Sequence, residues 1–185
     1  MRILGLSGSL REGSYNSGIL TALQSRMPAG AELVIFDGLR DIPFYDPAID
    51  GDDVNAAAAS LRQAVLDADA ILCSTPEYNA SIPAVIKNAV DWLSRPAGNG
   101  AIKGKTAAVV GSGPGQFGGI WAQDELRKSL KIAGARVIDA GVAIPKIDGL
   151  VDEHGVLTSE LWLGKLDAVV AELIAEANRS RDTRS

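Results

Sequence analysis

The chain has 185 residues, 46% of them hydrophobic, which is enough for one domain with a real core and short for two. Its 18 basic and 23 acidic side chains leave a formal charge of -5, which weighs against a nucleic-acid partner. No segment reaches the run of about 20 apolar residues that crosses a bilayer, and a lone cysteine cannot form an intrachain disulfide, so a reducing cytoplasm and no membrane contact are expected.

An apolar strand at 2–7 runs into Ser7 to Asn16, reading SGSLREGSYN, and then into a helix at 16–26. Hydroxyls, an amide and an arginine here share a turn with the N–H groups that open a helix, which is the chemistry of a phosphate site. The Lys-Ser/Thr ending of a nucleoside-triphosphate loop is missing, so a terminal monophosphate held without a metal fits better. The plainer reading is a polar turn in which Ser14 or Asn16 caps the helix; it leaves the arginine unexplained.

Farther along, the pattern gives a strand at 31–36, a long irregular loop at 37–52 holding Pro43, Phe44, Tyr45 and Pro47, and a helix at 53–67. The strand at 69–75 carries Cys73, read as a buried structural thiol, and ends in the sharp turn Pro76 to Pro83. In the helix at 82–94, Ile82, Val85, Ile86, Ala89, Val90 and Leu93 form a core stripe. Trp92 falls off that stripe, so it is either tucked under a neighbouring loop or part of a subunit contact, two readings that the residues alone leave equal.

A strand at 106–112, a helix at 117–133, a strand at 135–143 and a helix at 158–178 complete the pattern, and a polar tail at 179–185 is expected to be disordered. Residues 1–178 then form a single α/β domain. Alternating short apolar strands and helices, joined by right-handed crossovers, make a doubly wound parallel sheet with helices on both faces. Gly113, Gly115 and Gly118 fit the dinucleotide fingerprint, with Asp139 about 20 residues on, where that motif wants an acid for the ribose. The motif sits on the fourth strand rather than the first, where a rival phosphate loop already stands, so an NAD-dependent dehydrogenase is the weaker alternative. His154 reads as an exposed loop residue, Glu77 as a positioning group, and nothing forms a metal-ligand set.

Three segments, GSLREGSYN at 8–16, TPEYNASIPAVIKNAVDW at 75–92 and GSGPGQFGG from 111 with Ala122-Gln123 and Leu126-Arg127, resemble the signature segments of the NADPH-dependent FMN reductase family, which includes quinone, chromate and azo-dye reductases. The resemblance implies a flavodoxin-like five-stranded sheet in the order 2-1-3-4-5, with FMN at the carboxyl ends of the strands and NADPH or NADH as donor. It makes Ser9, Leu10, Arg11, Ser14, Tyr15 and Asn16 contacts of the phosphate and ribityl chain, Pro76, Glu77, Tyr78 and Asn79 contacts of the ring, and Ser112 with Gly113 a third wall. No side chain acts as an acid or base; the acceptor would be a quinone, azo compound, metal oxyanion or flavin, and the assembly a homodimer or homotetramer, which tips Trp92 toward the subunit contact. A flavodoxin-like one-electron carrier is the other reading, favoured if aromatic rings rather than small residues cover the flavin.

Overall fold

In a parallel sheet covered on both faces, successive residues of a strand feed opposite cores, and this chain is written that way. The computed structural model describes residues 1–51 and 54–182. Strands β1 (Arg2–Ser7), β2 (Glu32–Ile35), β3 (Ala70–Thr75), β4 (Thr106–Ser112), β5 (Arg136–Val137) and β6 (Ala143–Ile144) form one parallel sheet, ordered β2-β1-β3-β4-β5 with β6 also on β4. Ile3, Leu72 and Val110 share a core with α1 (Tyr15–Gln24) and α5 (Glu160–Asp182) through Leu20, Val170 and Leu173. Leu4, Ile71, Cys73 and Val109 share the opposite core with α2 (Ala56–Asp67), α3 (Ala84–Leu93) and α4 (Ile120–Ile132) through Leu61, Ile86 and Leu126. This is the flavodoxin-like order, with its reversal between β1 and β3.

The fifth strand is the main departure from the pattern. Thr106 pairs with Arg136, but five residues on, Gly111 pairs with Ala143, seven beyond Arg136. The edge strand therefore loops out and breaks into β5 and β6. The Arg127 guanidinium fills the break: Nη2 donates to the Val109 carbonyl at 2.9 Å, replacing the missing ladder bond. A Cβ at Gly141 would overlap that guanidinium, so the close approach requires glycine there. Asp139 sits on the looped-out stretch with its side chain 97% exposed, paired with Lys131.

Trp92 is fully buried, which overturns the expected subunit contact. Its Nε1 donates to the Pro43 carbonyl at 2.8 Å, and its ring meets Tyr45 edge-on. Helical periodicity cannot show this, because the cover comes from the irregular loop at 37–51, which has 3-10 turns at Gly38–Asp41 and Pro47–Ile49. Asn88 holds the loop down, accepting from Tyr45 N and donating to the Pro43 carbonyl. Arg62 pins its far end to Asp50 by two hydrogen bonds, and that pairing holds the Asp50 carboxyl below its usual range.

Helix ends also shift. α4 begins at Ile120 rather than 117, because Gly118 and Gly119 take the left-handed φ of 60° and 79°. Asn55 caps α2 by accepting from Ala57 N and Ala58 N; the start expected at 53 lies outside the described residues. The tail expected from Arg179 is helical to Asp182, with Arg179 bonded to Glu176 and Arg181 paired with Asp69; residues 183–185 lie outside the described part.

Burial removes water from the Cys73 thiolate and pushes its pKa up to about 12, so at neutral pH it is an unreactive thiol. Native protein should give no colour with Ellman's reagent and one thiol per chain after denaturation in guanidinium. A thiol that titrates in the native state would show that β3 opens.

Candidate active site

Three loops leave β1, β3 and β4 at their carboxyl ends, beside the reversal of strand order where open α/β sheets bind ligands. The first is Gly8 to Ser14. It continues the ladder through Gly8 N to the Ser74 carbonyl, then turns on a Ser9 hydroxyl that accepts from Arg11 N. Ser14 stands at the N-cap position of α1 but makes no cap bond, so its buried hydroxyl is not spent on the helix. The plain capping account of this loop fails there. Arg11 is exposed, with its guanidinium over the Tyr15 ring at 4.9 Å, and Arg40 Nη2 donates to the Leu10 carbonyl from outside the loop. The Tyr15 hydroxyl donates to Asp148 at 2.7 Å, which raises its pKa.

Asn16 ties the N-terminus of α1 to the ends of β3 and β4. Its Oδ1 accepts from Ser112 N at 3.1 Å and from the Ser74 hydroxyl at 3.0 Å, and its Nδ2 donates to the Ser112 carbonyl at 3.3 Å. All of this is buried, so few donors remain for a ligand: of the carboxamide, one N–H is left.

The second loop is a tight reversal. Tyr78 and Ser81 exchange backbone hydrogen bonds, and Asn79 and Ala80 between them have φ of 52° and 59°, the geometry of a primed hairpin turn. Glu77, just before it, reaches the third loop: its Oε2 accepts from Trp121 N at 3.0 Å and Ala122 N at 3.2 Å. Those are first-turn N–H groups of α4, where a carboxylate is favoured by the helix dipole. The Ser81 hydroxyl adds a bond to Glu125 of the same helix.

The third loop is pressed onto the sheet edge. A Cβ at Gly118 would lie 2.7 Å from the backbone of Ala143 and Ile144, so the looped-out edge strand dictates glycine here. Phe117 and Trp121 flank that point and contact each other, with ring centroids 4.9 Å apart. The third wall is thus not made of small residues alone.

Together the loops enclose a cavity of about 680 Å³. Of the residues expected from the sequence, Ser9, Arg11, Ser14, Tyr15 and Asn16 line it with Pro76, Glu77, Tyr78, Ser112 and Gly113. Leu10 and Asn79 do not: Leu10 faces an outer groove with Phe36 and Arg40, and Asn79 is at the exposed tip of its turn. Phe117 and Trp121 line the cavity without having been anticipated; an aromatic set among glycines, and another just past them, were the available signal. Asp139 borders a separate groove along α4, away from the glycines it would serve in a dinucleotide fold. His154 is exposed and pairs with Glu153, and no group of metal ligands forms among the described residues.

The sequence model of the family described as NADPH-dependent FMN reductase matches residues 1–149. An NAD(P)H-dependent FMN reductase of Pseudomonas aeruginosa is 41% identical over 130 residues, which is 70% of this chain and 69% of that protein. A quinone reductase of Escherichia coli is 34% identical over 85% of this chain and 88% of its own length. Among solved structures, the flavoenzyme NAD(P)H:(acceptor) oxidoreductase FerB from Paracoccus denitrificans superposes with a TM-score of 0.86 at 30% identity, covering 97% of this chain and 98% of that one.

The Asn16 clamp is open to a direct test. Asn16→Ala leaves the Ser112 amide and the Ser74 hydroxyl without their buried partner, and should cost roughly 1–3 kcal/mol. Urea unfolding with an unchanged denaturant slope would measure it; a loss near zero would mean that α1 and the ends of β3 and β4 hold their positions without it.

Proposed function

The chain belongs to the NADPH-dependent FMN reductase family, and on that premise we propose that it passes electrons from NAD(P)H through FMN to a quinone, with the three-loop cavity as the flavin site. The observation that carries the placement is the donor set at the β1 end. The Ser14 hydroxyl is buried and uncommitted to the helix, Arg11 supplies a charge, and the first N–H groups of α1 open onto the same space. Such a set suits a phosphate dianion held without metal. Beside Asn16 the Ser112 hydroxyl is buried in the cavity lining with no partner among the described residues, which fits a ligand that supplies one.

Ser9, Arg11 and Ser14 then hold the phosphate, Tyr15 and Asn16 border the ribityl chain, and Pro76, Glu77, Tyr78, Ser112 and Gly113 border the ring. Leu10 and Asn79 keep their loops in shape from outside the cavity. Bound FMN supplies the redox chemistry, as a two-electron store between donor and acceptor. The protein's share is orientation and exclusion of water. Glu77 moves no proton in this scheme: its carboxylate oxygen is committed to two amides of α4. A quinone acceptor is supported by the quinone reductases among the relatives. The lone buried thiol of Cys73 is compatible with a reducing cytoplasm.

Two measurements test the reading. Purified protein loaded with FMN should bleach under anaerobic conditions when NADPH or NADH alone is added; flavin that stays oxidised until an electron-transfer protein is supplied would make this a one-electron carrier. Arg11→Ala should weaken FMN by about 1.5–3 kcal/mol, roughly ten- to a hundredfold, and leave riboflavin, which lacks the phosphate, unchanged. Equal FMN affinity by calorimetry would remove Arg11 from the phosphate site.

A further inference from the structure

We propose that Phe117 and Trp121 form an acceptor platform, a pair of ring faces that selects planar quinonoid acceptors over small oxyanions; the inference rests on the flavin placement above. Both rings line the cavity and remain half in solvent, at 50% and 48% exposure. Apolar side chains of this size are normally covered, and adjacent exposed rings at the mouth of a cavity mark a surface for a ligand. They are inclined at 60° with centroids 4.9 Å apart, so the two rings brace each other while about half of each stays exposed.

The backbone beneath them is fixed at both ends. Gly118 is seated against Ala143 and Ile144, and Trp121 N is held by the Glu77 carboxylate. A platform fixed in this way loses little conformational freedom on binding a flat ligand, and stacking then keeps most of its gain. Tyr78, also half exposed, adds a third ring to the lining.

Charge decides against the small anions. Among the described residues lining the cavity, Arg11 is the sole cation, and the flavin phosphate uses it. The one carboxylate, Glu77, is turned into the helix end. An oxyanion entering this end meets ring faces and glycines with no counter-charge, whereas a neutral quinone loses no such partner.

The test compares menadione, flat and uncharged, with chromate, a small oxyanion that cannot stack on a ring, and with ferricyanide, a bulky trianion that takes electrons from reduced flavin without entering the cavity. Wild-type kcat/KM should be at least about tenfold higher for menadione than for chromate, and equal values overturn the selectivity. In FMN-loaded protein, Phe117→Leu should raise the KM for menadione about tenfold, the scale of one lost aromatic contact, and lower the ratio of menadione to ferricyanide kcat/KM by the same factor. Without nucleotide, quenching of tryptophan emission by menadione should titrate about tenfold more weakly in Phe117→Leu, near the wild-type value in Phe117→Tyr, and should lose its main component in Trp121→Phe. An unchanged menadione affinity in Phe117→Leu, with ferricyanide turnover intact, overturns the platform. So does a parallel loss for menadione and ferricyanide. Saturable quenching in a wild-type protein that reduces none of the three acceptors would instead overturn the reductase reading, and so the two failures are distinguishable.

Discussion

The geometry of the site depends on one buried carboxamide. Strand ends in a parallel sheet have no ladder partner beyond their last pair, and loops leaving adjacent strands would diverge without a cross-link. Asn16 supplies it, with one side chain satisfying both backbone groups of Ser112 and the hydroxyl of Ser74. Because Asn16 lies in the first turn of α1, the same bonds hold the helix N-terminus against the ends of β3 and β4. The N–H groups of α1 and the wall at Ser112 are therefore set at a fixed separation before any ligand arrives, and that preorganisation lowers the ordering cost of binding.

Glu77 extends the constraint to the third loop. The N-terminus of α4 begins at a pair of left-handed glycines that offer no side-chain cap, and so its first amides need an acceptor from elsewhere. The acceptor comes from the turn after β3, which couples the second and third cavity loops through one carboxylate. Removing its charge would loosen both walls together.

Much of this was legible in the sequence, for physical reasons that differ by segment. Ser9, Arg11 and Ser14 could be placed in the cavity lining because such polar groups between an apolar strand and a helix mark a loop at a strand end, and the loop after β3 because Pro76 to Pro83 cannot continue a strand. Trp92 was misread because its cover comes from a loop with no periodicity, held by Asn88 and Arg62 from two different helices. The break at 138–142 was invisible since Ile138 and Val142 keep the apolar spacing of a strand while Arg127, distant in sequence, takes over a ladder bond. Asn16 was recognised as polar and important, but its role as a clamp depends on Ser74 and Ser112, 58 and 96 residues away in the chain. No local reading reaches that far.

The break in the edge strand bears on the site as well as on the fold. A continuous fifth strand would run in register with β4, without the two extra residues that separate β5 from β6. The shifted β6 is the surface on which Gly118 lies, and it is the contact with Ala143 and Ile144 that sets where Phe117 and Trp121 stand. Arg127 stabilises the break from the far side of the sheet edge by closing the Val109 carbonyl. The position of the two aromatic rings thus traces back to a local failure of sheet pairing, and a change that restored a continuous edge strand would move that cavity wall while leaving the opposite end, which hangs from β1 and α1, where it is.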